Sequence, residues 1–286
     1  MRCSTVLVMT ALAASLAVCS GCRWSGCMKG PERTIHVPLD LPDPANVSET
    51  IDFLMKRFSH GDLKEAMGAF REDVEWHGPG GVQPPSKGRR EMQTHYEVMK
   101  IACSDAAMAP SKILAAGDAA FVLYAFRGTH DGWLSGVKGT GRPVGAEGLA
   151  FYRFDDLAIY EIVDYFNPNT LLVQAGLLPG EAAAVPSLPV EFETIRSGVV
   201  PPTEWKDRVE AAYQAMNRGD HAPFLQMMDP AVVHQDHLAD TVTRGPGNVT
   251  RSITGFEGGY DDLRFHILGI HQVEQYVVVR LTWTGT

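Results

Sequence analysis

The most constraining feature of this sequence is a pattern that occurs twice. Gly61-Asp62 closes an amphipathic stretch, and Gly219-Asp220 does the same 158 residues later. Trp76-His77 has its counterpart in Val233-His234, Lys87-Gly88 in Arg244-Gly245, and Phe126-Arg127-Gly128-Thr129 in Trp283-Thr284-Gly285-Thr286, each at a separation of 157. Four landmarks in one register, with a single-residue adjustment, point to a duplicated domain. A chain of 286 residues has room for two domains of ordinary size. Roughly 50 residues follow Gly128-Thr129 in the first copy, whereas the second stops at Gly285-Thr286, so the second copy is expected to be incomplete.

Within the first copy the hydrophobic period changes along the chain. Ser48–Ser59 places Ile51, Leu54, Met55 and Phe58 at helical spacing, with Ser48 as the expected N-cap. Leu63–Phe70 reads as a second short helix, Val74–His77 as a short strand, and Lys87–Ile101 as a third helix. Four strand-like segments follow, Ser111–Ala115, Ala119–Arg127, Ala146–Phe154 and Leu157–Phe166, with Gly117-Asp118 and Asp155-Asp156 at turns. Helices followed by a meander predict an α+β fold: a cone-shaped, curved antiparallel sheet packed on helices, with a pocket at its open end. The second copy repeats the order, from a helix at Trp205–Asn217 to an apolar last strand near Tyr276–Trp283 whose unpaired edge invites pairing.

The flanks read differently. Arg2 precedes an uncharged apolar run, Thr5–Val18, too short for a stable bilayer span and suited to a signal-peptide core. Cys19-Ser20-Gly21-Cys22 resembles a lipobox, with Cys22 as the lipidated residue and Cys19 standing where Leu is usual. The expected organisation is a lipoprotein-type signal peptide at 1–22, a tether at 23–45, a first domain at 46–180, a linker at 181–202 and a truncated second domain at 203–286. The protein is therefore expected to be exported, on the periplasmic side or the cell surface, and to meet the membrane only through its lipid anchor. Only Cys103 of the five cysteines lies in a folded region, so no internal disulfide is expected. A formal net charge of -9 argues against a nucleic-acid partner, which needs a basic face to neutralise phosphates.

From Gly117 onward the residues carry a resemblance. Gly128-Thr129-His130-x-Gly132, Gly136, Thr140-Gly141-Arg142, Ile159-x-Glu161 and the closing Leu171-Leu172-x-Gln174-x-Gly176-Leu177-Leu178-Pro179 resemble the SnoaL-like polyketide cyclase and ester cyclase family. The resemblance covers about 46–180 and, more faintly, 203–286. It implies a ketosteroid-isomerase-like cone and an acid/base carboxylate in a Phe-Asp-x-x-x-Leu-Leu context. Here that context reads Phe166-Asn167-Pro168-Asn169-Thr170-Leu171-Leu172, so the implied carboxylate position holds Asn167, which donates hydrogen bonds but takes up no proton. Asp164 is odd-spaced from Asn167 and on a continuous strand would face the other way.

The candidate catalytic residues are accordingly His77, His130, Asp164 and Asn167, and the candidate substrate-binding residues Tyr96, Tyr124, Trp133, Arg142 and Phe151. Each has a plain structural alternative: a rim histidine for His77, a strand-end cap for His130, core aromatics for the tyrosines and Phe151. His234-Gln235-Asp236-His237 has the look of metal ligands, but alternation splits the histidines between two faces and no partner pair follows. No phosphate loop or nucleophile elbow occurs, and no cofactor or metal is implied. Two functions stay open: an acid/base cyclase or isomerase acting on a small hydrophobic carbonyl compound, or a non-catalytic module binding a ligand or a protein. A homodimer through the outer face of the sheet is a further expectation.

Overall fold

The computed structural model describes residues 5–8, 46–79, 85–134, 136–196, 203–236, 241–274 and 276–286. The chain runs β1 (Thr5–Val8), α1 (Val47–His60), α2 (Leu63–Ala66), a 3-10 turn (Met67–Ala69), β2 (Phe70–His77), β3 (Ser86–Lys87), α3 (Arg89–Ala102), β4 (Ala107–Ala116), β5 (Ala119–His130), β6 (Arg142–Asp155), β7 (Ala158–Tyr165) and α4 (Pro168–Ala175). Next come β8 (Glu193–Arg196), α5 (Thr203–Met216), α6 (Ala222–Gln226), β9 (Val233–Asp236), β10 (Thr241–Arg244), α7 (Pro246–Glu257), β11 (Arg264–Val273) and β12 (Tyr276–Thr284). Cys22 and the 23–45 tether lie outside the described residues.

α1 forms because its apolar residues recur every three to four positions and its ends are satisfied. Asn46, not Ser48, is the cap: its Oδ1 accepts from the Ser48 and Glu49 amides at 3.1 and 3.2 Å. Such a cap contributes about 1 kcal/mol. Gly61 ends the helix at φ 85, a conformation that disfavours any side chain. The face so presented (Ile51, Leu54, Met55, Phe58) is fully buried against the sheet, each side chain contributing roughly 1.5–3 kcal/mol. The helix expected over Leu63–Phe70 is shorter than its pattern, because Phe70 turns to extended geometry (φ -107, ψ 149) and opens β2.

The first sheet has the order β3-β2-β7-β6-β5-β4-β8. Its centre, β4 to β7, is the expected antiparallel meander. The flanks differ from expectation: β2 pairs with β7, and β8 with β4, in parallel. β8 comes from the segment read as linker and adds a strand to the first domain's edge. Side chains alternate across the sheet. Val122, Tyr124, Phe126, Ala150, Tyr152, Phe154 and Ile162 join α1 and α3 in the inner core.

Leu114, Phe121, Leu149 and Phe151 face outward and pack with Val273, Tyr276 and Val278 of the second copy. β12 alternates in the same way. Val277, Val279 and Leu281 pack with Val209, Tyr213, Met216 and Phe224 from the second copy's own helices, while Tyr276 and Val278 face the first copy. The two copies thus sit back to back through their sheets, and the face expected to serve a homodimer carries the second copy of the same chain. β11 and β12 pair antiparallel, and the other edge of β12 pairs in parallel with β1, within the stretch read as a signal peptide.

Candidate functional site

On β7 the register shifts beside Phe154, which pairs with Ile159, while Arg153 pairs with Glu161, so Tyr160 is the extra residue of a bulge. The shift brings Ile159, Ile162 and Asp164 to the inner face despite their uneven spacing. Asp164 lies opposite Ala150. Its Oδ1 accepts a hydrogen bond from the Tyr124 hydroxyl at 2.7 Å, and the Trp76 indole also donates to the carboxylate. Tyr124 reaches it by lying over Gly148, its cross-strand partner; a Cβ on Gly148 would stand 2.6 Å from Tyr124 Cζ.

The electrostatics follow from this enclosure. Burial pushes the Asp164 carboxyl up to about 6, against the Tyr124, Trp76 and Tyr165 amide hydrogen bonds, which favour the charged form. The residue as a whole keeps a partly exposed surface although its carboxyl group is enclosed. Burial, followed by the Asp164 charge, raises Tyr96, and raises Tyr124 well above the usual phenol range; burial, followed by Tyr96 and then Asp164, does the same to Tyr152. All three therefore remain hydroxyl donors at neutral pH. His95, on α3, stacks on Trp76 with ring centroids 4.1 Å apart, and burial lowers it to about 4, so it is neutral under ordinary conditions. The arrangement is a single carboxylate, with a proton affinity close to neutrality, inside a shell of aromatic hydroxyl and indole donors.

Of the residues singled out from the sequence, the structure brings Asp164, Tyr96 and Tyr124 together and places the others elsewhere. His77 is on the outer face of β2, its Nε2 3.8 Å from both Glu75 and Glu161. Alternation from buried Val74 turns its neighbour Trp76 inward instead. Asn167 is not on a strand. β7 ends at Tyr165, and Asn167 caps α4, accepting from the Asn169 amide at 3.1 Å. The parity argument that turned Asp164 outward fails for that reason. His130 is fully buried with Nδ1 3.1 Å from Thr140 Oγ1, and the Gly141 amide donates to its carbonyl. Six strand residues, about 20 Å, separate it from Tyr124. It ties the β5–β6 hairpin rather than lining the Asp164 site.

Phe151 faces outward, with the Arg280 guanidinium 4.0 Å above its ring. Trp133 is 60% exposed on the hairpin. Arg142 is exposed and lies beside Gly176 at the C-terminus of α4, where a cation complements the helix dipole. Three residues of the shell escaped the sequence reading: Trp76, His95 and Tyr152. For Trp76 the signal was present in its even spacing from Val74. No group of three or more metal-ligating side chains occurs among the described residues. His234 bonds to Thr243 across β9–β10, and His237 lies outside the described residues. A surface depression lined by Arg71, Asp73, Glu75, Tyr160 and Glu161 sits on the outer side of β2 and β7, away from Asp164.

A profile of the SnoaL-like domain matches residues 52–162 and 209–286. The chain belongs to the SnoaL-like family. The two matched segments coincide with the two copies. Similar solved structures include IdmH of Streptomyces antibioticus, a proposed polyketide cyclase, at 27% identity over 46% of this chain and 98% of that one, with a TM-score of 0.41. AclR of Streptomyces galilaeus, a proposed hydroxylase, is 23% identical over 48% of this chain and 89% of its own, with a TM-score of 0.43. A proposed SnoaL-like polyketide cyclase from Jannaschia sp. CCS1 is 14% identical over 52% of this chain and 100% of its own, also with a TM-score of 0.43. A comparison with curated proteins finds no match.

Proposed function

We propose that the first copy is an acid/base pocket acting on a small hydrophobic carbonyl compound, as a cyclase or isomerase, with Asp164 as the base. The observation that carries this reading is the enclosed Asp164 carboxylate, raised to about 6 and held by Tyr124 and Trp76. Such a group is charged at neutral pH yet holds a proton well enough to hand it back, which is what general-base work requires. Asp164 removes a proton from the carbon next to the carbonyl. The C–H electron pair moves into the C–C bond and the carbonyl pair onto oxygen. Tyr96 or Tyr152 donates a hydrogen bond to that oxygen. The enolate carbon then either takes the proton back at a new position or attacks a second carbonyl and closes a ring, and protonated Asp164 returns its proton to the product.

The same reading places the chain outside the cytoplasm, held by a lipid on Cys22, with no cofactor. The test is deuterium exchange at the α-carbon of apolar ketone probes in heavy water, followed by NMR. Wild-type protein should catalyse the exchange and Asp164→Asn should not. Equal exchange in both would overturn the assignment. Tight probe binding with no exchange in either would leave a binding module on the same cone.

A further inference from the structure

Of the side chains around Asp164, Trp76 is the one gripped by groups that the proposed chemistry does not use. It pairs with Ile162 across β2 and β7, and Asp164 is the next inward residue of β7, so indole and carboxylate are neighbours on the inner face. His95, on α3, stacks on the indole with ring centroids 4.1 Å apart and planes 36° apart. At the benzo edge of the same ring the backbone of Gly78 comes close. A Cβ there would stand 2.9 Å from Cη2, 3.3 Å from Cζ3 and 3.4 Å from Cζ2. Any side chain at 78 would push the indole away, so glycine serves the close approach.

The second copy shows which of these residues serve the frame and which the site. α7 begins at Gly245 as α3 begins at Gly88, with φ 78 against 83 and ψ 150 against 157, so the separation of 157 residues holds in the structure as well. At that separation His95 meets Ser252, Tyr96 meets Ile253 and Tyr124 meets Leu281. β9, the counterpart of β2, reads Val-His-Gln-Asp and holds neither a tryptophan nor a glycine. Gly61, Gly88 and Gly128 keep glycine counterparts at Gly219, Gly245 and Gly285. The turn glycines thus recur in both copies, whereas the aromatic shell is replaced as a set. His95 and Gly78 change with the shell and not with the frame.

We infer that His95 and Gly78 clamp the Trp76 indole against Asp164 and are positioning residues of the base. The inference rests on the reading of Asp164 given above and adds what sets its strength. Burial favours the protonated carboxyl, and a donor held against it favours the charged form. An indole free to swing would leave burial less opposed, and the group would give up its proton less readily. Burial keeps the His95 imidazole neutral, so it stacks without bringing a charge beside the carboxylate. The other titratable groups facing Asp164 are Tyr124 from β5, Tyr152 from β6 and Tyr96 from α3, all raised by burial and all neutral in this range.

The test follows two NMR signals of the full chain against pH, without substrate: the Trp76 indole N–H, identified by its loss in Trp76→Phe, and the Asp164 carboxyl carbon. In the wild type the indole signal should move with the carboxyl titration. His95→Ala should uncouple the two and raise the carboxyl midpoint by about 0.5–1 pH unit, the worth of one net hydrogen bond. His95→Phe, which keeps a flat ring, should restore both. Gly78→Ala, at the other side of the indole, carries the same prediction as His95→Ala and covers the case in which that variant does not fold. An unchanged midpoint and coupling in the folded alanine variants would overturn the clamp, and so would His95→Phe behaving as His95→Ala. Both signals are read without turnover. The clamp can therefore fail while Asp164 passes the deuterium-exchange test, and Asp164 can fail that test with the clamp intact.

Discussion

Tyr152 and Phe151 are neighbours on β6 and face opposite environments. Tyr152 joins Tyr96, Tyr124 and Asp164 inside the cone, where burial raises the carboxyl and the three phenols and lowers the His95 imidazole. Phe151 joins Leu149, Phe121 and the second copy's Val278 outside it, where Arg280 and His271 are the polar intruders. The inner face encloses one carboxylate with donors, and the outer face is a docking surface between two halves of one chain. The lesson is that a strand's two faces divide chemistry from assembly, so a one-residue error in register exchanges the two roles.

The largest expected effect breaks the inner face alone. Asp164→Asn should lower α-proton exchange by about 10²–10⁴-fold while raising the melting temperature at pH 7. The sign follows from the raised carboxyl: between its unfolded value of 3.8 and about 6 the folded protein holds a proton that the unfolded chain has lost, so stability declines as pH rises through that window. The full penalty, roughly 3 kcal/mol, is present above it and is removed by the amide. Wild-type exchange should itself rise with pH through about 6. Exchange that persists in the variant would break the division of labour between the two faces.

Breaking the outer face comes next. Val278→Asp buries a charge at a fully buried position facing Leu114 and Phe151, and should destabilise docking by several kcal/mol. Hydrogen exchange in β11 and β12 would speed up while the Asp164 titration stays in place. A smaller effect comes from Gly148→Ala, whose methyl meets the Tyr124 ring. It should cost about 1–3 kcal/mol and move the Asp164 titration, read by NMR.

The smallest effect is a pH dependence of docking. Burial, then the Arg280 charge, holds His271 below its ordinary value of 6.5; Asp118 opposes this and Arg153 adds to it. Below pH 6.5 the undocked imidazole binds a proton that the docked one resists, so docking weakens on acidification. His271→Phe should remove that slope in the hydrogen-exchange protection of β11–β12.

The duplication, the order of helices and strands, and the antiparallel centre of the sheet were legible in the sequence because glycine-aspartate turns and hydrophobic periods repeat there. The parallel flanks were not, because β8 is a short segment whose pairing depends on an edge far away in the chain. Within the site, Tyr96, Tyr124 and Asp164 were visible as residue types. Asn167 misled because a proline follows it and turns an apparent strand position into a helix cap. His77 misled because the histidine drew attention from Trp76, which alternation with Val74 points inward. His95 gave no signal on its own: its role comes from stacking on a strand that only the fold brings near.

The most direct measurement is a carbon-13 NMR titration of the Asp164 carboxyl in the full chain, identified by its loss in Asp164→Asn. A midpoint near 6, shifting upward in Tyr124→Phe as a donor to the charged form is lost, is the result expected here. A midpoint at or below 4, unmoved by that substitution, would mean that the carboxylate is in water and that the inner face holds no base.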